Sequence, residues 1–176
     1  DSPDAVLLEA QIKAGKREFA AALDVLEGLL DKQPNYFDAW TYKAELLRVL
    51  RRDEDAVAAY GKILKMHPRN FVALVSRSSL LVGQGKLEEA AQDVAALNRA
   101  YKGHPQAFVQ TGILELANGH PREALDAARA ALKLTPGLAS ATLLAGLANN
   151  GLGLHEQAEQ LLSAHMAGNP ADSYAR

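Results

Sequence analysis

FDAWTYKAELLRVLRRDEDAVAAYGKILKMHP, residues 37–68, decides the fold. Its first half spaces Trp40, Ala44 and Leu47 by three and four residues, which sets them on one stripe of a helix. Its second half does the same with Ala56, Tyr60, Ile63 and Leu64. Arg51-Arg52-Asp53 separates the halves as a tight turn. Pro68 closes the second half, because proline cannot continue a helix and disfavours helix in the residue before it. The stretch predicts two amphipathic helices, A and B, folded back on one another.

The same unit recurs along the whole chain. Ala22, Ala56, Ala90, Ala124 and Ala158 lie 34 residues apart, and a small residue stands 12 positions before each: Ala10, Ala44, Ser78, Gly112, Gly146. Small residues at both places let helices A and B approach closely. Prolines keep the same period at Pro34, Pro68, Pro136 and Pro170, while the third copy carries Lys102 in that slot and Pro105 three residues later. Glycines mark the A-to-B turns at Gly15, Gly85, Gly119 and Gly153. The copies run about 3–36, 37–70, 71–104, 105–138 and 139–172. One helix pair cannot bury its apolar face, but stacked neighbours can. The expectation is therefore an all-α single array over 1–176, of about ten helices. "NPADSYAR" would begin an eleventh, as in a fragment of a longer array.

Composition agrees and excludes much else. Apolar residues make up 48% of the 176-residue chain and aromatics only 6%, with the strong helix formers alanine and leucine dominant. A net charge of −2 with interspersed signs is not the footprint of a nucleic-acid binder. Arg48, Arg51 and Arg52 are followed at once by Asp53, Glu54 and Asp55 and read as a solvated helix end. Without cysteine there is no disulfide, thiol catalyst or Cys-ligated zinc. No apolar run approaches the roughly 20 residues that span a bilayer, so no membrane insertion is expected of this segment.

In this 34-residue pattern the chain resembles the tetratricopeptide repeat (TPR) family. The second copy matches best, through Trp40, Ala44, Leu47, Ala56, Tyr60, Ile63 and Pro68, and the fourth follows with Phe108, Gly112, Ala124, Ala128, Ala131 and Pro136. Lys13, Glu115 and Asn149 depart from it where a large apolar residue is usual, and His165 takes a small-residue slot. The resemblance implies a right-handed α-solenoid whose helices A line a concave, partner-binding groove. Carried over, the groove positions are Leu7 and Gln11, then Thr41, Glu45 and Arg48, then Val72, Val75, Ser79 and Val82. The fourth copy adds Val109, Ile113 and Leu116, and the fifth Leu143, Leu147 and Asn150. The column is polar in the second copy and nearly all aliphatic from the third onward, which suits an amphipathic helix or an extended apolar segment. Chaperone-adaptor members clamp a C-terminal carboxylate here. Gln11, Glu45, Val72, Ser76 and Ser79 do not reproduce that clamp. The alternative for the aliphatics is internal packing.

The repeat style is also similar to bacterial TPR lipoproteins of exosortase and exopolysaccharide systems, for example in "SRSSLLVGQGKLEEAAQDV" and "LLAGLANNGLGLHEQAEQLL". That resemblance implies a scaffold on the periplasmic side of a bacterial envelope, with the cytoplasm as the alternative.

Candidate chemistry dissolves on inspection. His67-Pro68 and His104-Pro105 are expected to end helix B of the second and third copies, and His120-Pro121 to form the A-to-B turn of the fourth. "HEQAE" at 155–159 misses the zinc motif by one histidine, and "GQGKL" at 83–87 lacks the strand a phosphate loop requires. Catalytic residues, metal ligands and cofactors are therefore not expected, and neither is an enzyme. The sequence predicts a protein–protein interaction scaffold binding a protein or peptide in its groove, with self-association through the C-terminal repeat as a further partner mode. The competing reading is a structural spacer or self-assembling section of a longer array without a dedicated ligand.

Overall fold

A computed structural model describes residues 2–168. Among them lie ten α-helices: α1 Pro3–Gly15, α2 Phe19–Lys32, α3 Phe37–Val49, α4 Asp53–Met66, α5 Phe71–Gly83, α6 Leu87–Ala100, α7 Pro105–Ala117, α8 Pro121–Leu134, α9 Ala139–Gly151 and α10 His155–Gly168. Odd-numbered helices are the A helices and even-numbered ones the B helices. The chain is all-α, as its period requires. The proposed start of an eleventh helix lies outside the described residues.

Each A-to-B turn is made the same way. Arg17, Arg51, Gly85, Gly119 and Gly153, again 34 residues apart, have left-handed backbone angles, with φ from 58° to 81°. The amide after each donates to a carbonyl five residues back: Glu18 to Lys13 (3.0 Å), Arg52 to Leu47 (2.9 Å), Lys86 to Leu81 (2.9 Å), His120 to Glu115 (2.9 Å) and Leu154 to Asn149 (2.9 Å). This is the Schellman stop, which satisfies carbonyls that the helix end leaves free. Gly15, expected at the turn, is instead the last residue of α1, and Arg17 takes the left-handed position. Lys13, Glu115 and Asn149, the departures from the family pattern, supply backbone carbonyls to this turn, a role indifferent to their side chains.

A second correction concerns His104-Pro105. α6 stops at Ala100, capped by the Tyr101 amide donating to the Leu97 carbonyl at 2.8 Å. His104 does not end that helix; it begins α7. Its Nδ1 accepts from the Gln106 amide at 3.1 Å, and Pro105 occupies the first turn, where its fixed φ fits and its missing N–H costs nothing. His67 and His120 stand where the sequence placed them, at the end of α4 and the start of α8.

By internal packing the chain divides into two units, Asp1–Ala73 and Leu74–Arg176. In the first, α2 packs on α1 and α3, and α4 on α3. Its core includes Ala10, Ala22, Leu26, Ala44, Leu47, Ala56, Tyr60 and Ile63. In the second, α8 packs between α7 and α9, and α10 closes on α9. Ala124, Leu125, Ala128, Leu144, Ala145 and Ala148 form one buried cluster there. The paired small positions are all buried, and Gly112 shows why they are small. A Cβ on Gly112 would stand 2.4 Å from Leu144 Cδ2 and 3.1 Å from the Ala124 carbonyl oxygen.

Candidate functional site

In the first unit, Leu7, Gln11, Thr41 and Glu45 line one open cleft of about 550 Å³ between α1 and α3. Sequence reasoning missed its other walls: Asp4, Leu8, Tyr36, Asp38 and Tyr42. Asp4 and Asp38 are themselves 34 residues apart, so the repeat register could have found them. The Tyr36 hydroxyl donates to an Asp4 carboxylate oxygen. That hydrogen bond, followed by desolvation and the charges of Asp4 and Asp38, pushes the Tyr36 phenol up to about 12. Burial raises Tyr42 as well. The cleft thus carries negative charge beside aromatic rings.

Its polar groups are partly committed already. Arg48 donates to Glu45 Oε2 from Nε at 3.1 Å and Nη2 at 2.9 Å, and the Tyr60 hydroxyl donates to Glu45 Oε1 at 2.5 Å. The bond to Glu45 raises the Arg48 guanidinium above its ordinary range, against a smaller opposing effect of burial. Thr41 Oγ1 donates back along its own helix to the Phe37 carbonyl at 3.0 Å. Glu45 and Arg48 therefore neutralise each other before any ligand arrives.

On α5, Val72 is exposed, Val75 and Val82 are half-buried, and Ser79 donates to Gln110 Oε1 at 3.1 Å. The second unit overturns one expectation outright. Val109 is fully buried against Ala131 and Ala141, with Phe108, Ile113, Leu132 and Leu138 around it, so it holds helices together and faces no groove. The reason is geometric: the following hairpin closes over its edge of α7. Ile113 and Leu116 are half-buried and rest on the same cores. Leu143 and Leu147 of α9 are half-buried, and exposed Asn150 has His155 Nδ1 at 3.2 Å from its amide oxygen.

No group of three or more His, Cys, Asp or Glu side chains is disposed to hold a metal among the described residues. Nor is any described helix long and apolar enough to cross a membrane.

The tetratricopeptide repeat profile matches this sequence over residues 7–63, 54–107 and 109–173. No curated protein matches it. Among solved structures, the fold is similar to MamA of Desulfovibrio magneticus RS-1, at 19% identity over 98% of both chains and a TM-score of 0.77. It is similar to a tetratricopeptide repeat protein of Parabacteroides merdae, at 19% identity over 97% of this chain and 68% of that one, TM-score 0.77. It is also similar to YrrB, described as a TPR protein with an unusual peptide-binding site, at 19% identity over 97% and 88% of the two chains, TM-score 0.68. Identities this low speak for fold alone. With the profile matching nearly its full length, the chain belongs to the tetratricopeptide repeat family.

Proposed function

We propose that this chain is a protein–protein interaction scaffold that holds a partner segment against the groove faces of its A helices. TPR repeats generally mediate such interactions. The observation that carries the reading here is the α1–α3 cleft, whose lining stays open after the helices of its unit have packed. Its apolar patch from Leu7 and Leu8 and its acidic rim suit a segment that pairs an aliphatic anchor with a cationic or hydrogen-bonding side chain. In the second unit Ile113, Leu116, Leu143 and Leu147 offer partly accessible aliphatic surface for the same purpose. A periplasmic role in envelope or exopolysaccharide assembly remains part of the proposal, resting on sequence style alone.

The spacer reading keeps one observation in its favour. Glu45 and Arg48 are spent on each other, and Val109 is spent on packing. The two readings separate in a pull-down from bacterial envelope and soluble extracts with the native chain and a Gln11→Arg, Leu147→Lys variant whose circular dichroism is native. Loss of a discrete captured protein with the variant supports the scaffold, and the extract that supplied it gives the compartment. Identical captures by both forms, or none, would remove the groove from the function and leave the spacer.

A further inference from the structure

Compare the third, sixth and tenth residues of the A helices. In α3 these are Ala39, Tyr42 and Leu46; in α7, Ala107, Gln110 and Leu114; in α9, Ala141, Leu144 and Ala148. All are buried except Tyr42, which is half-buried. In each case the cover is the B helix that comes before, running antiparallel: α2 on α3, α6 on α7, α8 on α9. In α9 the contacts are explicit, with Leu144 and Ala148 clustered with Ala124, Leu125 and Ala128 of α8. The corresponding residues of α1 are Ala5, Leu8 and Ile12. All three are exposed, Leu8 at 55% and Ile12 at 51%. α1 therefore presents the surface that an antiparallel helix covers in these other copies, and among the described residues nothing lies on it.

The geometry points to a second copy of this chain as the occupant, its α1 laid antiparallel on this one. Two features of α1 select that partner. Ala5, Leu8, Ile12 and Gly15 follow the three-four-three spacing of a helix–helix seam, with small residues at both ends that allow close approach. The charges also divide along the helix: Asp4 and Glu9 in its first part, Lys13, Lys16 and Arg17 toward and just past its end. Antiparallel pairing sets the acidic half of each α1 against the basic half of its mate, while parallel pairing opposes like with like. A two-fold contact uses one patch twice, as self-complementary dimers do. With 13 residues, α1 is about 20 Å long, so the contact falls at the small end of specific interfaces and the dimer is a weak, reversible one.

Sedimentation of the full chain between about 5 and 500 µM, the range in which so small an interface associates, tests this. The expected result is a concentration-dependent monomer–dimer equilibrium. Ile12→Glu, which leaves the α1–α3 cleft lining intact, weakens it at least about tenfold with native circular dichroism, whereas Ala20→Glu on exposed α2 surface does not. The chain has no cysteine, so orientation can be read directly. In an equal mixture of Leu8→Cys and Ile12→Cys chains, antiparallel pairing gives mainly the mixed disulfide. A monomer throughout the range would overturn the inference. So would a dimer indifferent to Ile12→Glu, or disulfides only between like chains.

Discussion

Two helical glycines should respond in opposite ways to the same substitution. In an exposed helix interior, alanine is favoured over glycine by about 0.8–1 kcal/mol. Gly28 of α2 meets that condition, because a Cβ built there has no heavy atom within 4 Å. Gly28→Ala should therefore stabilise by about that amount. At Gly112 the same gain meets a filled space. The new Cβ would lie 2.4 Å from Leu144 Cδ2, 3.1 Å from the Ala124 carbonyl oxygen and 3.2 Å from Ala127 Cβ. Leu144 could yield only by turning within a cluster that is itself buried, and the carbonyl belongs to the α8 backbone and cannot turn at all. Overpacking of this kind costs about 1–3 kcal/mol, which cancels the propensity gain and leaves a net loss of about 1 kcal/mol. For a chain of this size the two variants should melt on opposite sides of wild type, each by about 2–4 °C. The double variant Gly112→Ala, Leu144→Ala identifies the cause. Leu144→Ala alone should cost about 2–5 kcal/mol, and the pair should cost less than the sum by about 1 kcal/mol or more. If Gly112→Ala stabilises as Gly28→Ala does, the close A-to-B approach is not what keeps this position small.

The turns and the cleft give two further expectations. Arg51 holds a left-handed angle of 58°, which costs a non-glycine residue about 1–2 kcal/mol. Allowing for the greater freedom of glycine in the unfolded chain, Arg51→Gly should stabilise by about 0.5–1 kcal/mol and Gly119→Ala destabilise by about 1 kcal/mol, both read by thermal melting. In the cleft, Tyr36 should lose its proton only at about 12, followed by carbon-13 chemical shifts of labelled tyrosine. Because its hydrogen bond to Asp4 is the leading cause, Asp4→Asn should move that titration down toward the ordinary value near 10. A titration unmoved by the substitution would remove Asp4 from the cleft wall.

The helices were legible because a 34-residue clock places alanine, small residue and proline together, and no other local order satisfies all three. What periodicity could not settle was which residue takes an unusual backbone angle. Glycine is the usual choice, so Gly15 drew attention, while Arg17 and Arg51 hold the turn under strain. The His104 error has a similar root: a proline near the end of one helix and one at the start of the next look alike in sequence, and only the Tyr101 cap distinguishes them. For the groove, spacing gives an angle around a helix but not how far a neighbour wraps that angle. On α7 the wrap reaches Val109, whereas on α1 and α3 it leaves Leu7, Gln11 and Thr41 at an open surface.

The third copy shows how the array holds its register where aliphatic contact is thin. Arg77 of α5 donates to both oxygens of Asp93 on α6, from Nε at 2.7 Å and Nη2 at 2.5 Å, and the Asp93 side chain is only 4% exposed. Nearby, the Ser78 and Ser79 hydroxyls lie 3.0 and 3.1 Å from Gln110 Oε1, with Gln110 and Ser78 both buried. Leucines in these places would slide; forked hydrogen bonds fix one alignment. A buried pair of this kind contributes little net stability when exchanged whole, but removing one member leaves a desolvated charge without its partner. Arg77 keeps some contact with water, which lowers the penalty, so Asp93→Ala should cost about 2–3 kcal/mol. Arg77→Met with Asp93→Leu should return to within about 1 kcal/mol of wild type. The Lys43–Glu27 pair supplies the contrast: its 2.9 Å contact leaves Glu27 more than half exposed, and Glu27→Ala should cost at most about 0.5 kcal/mol. Urea unfolding of the four proteins measures all of this. If Asp93→Ala costs no more than Glu27→Ala, the fork is incidental, and register in the third copy must come from its few buried aliphatics instead.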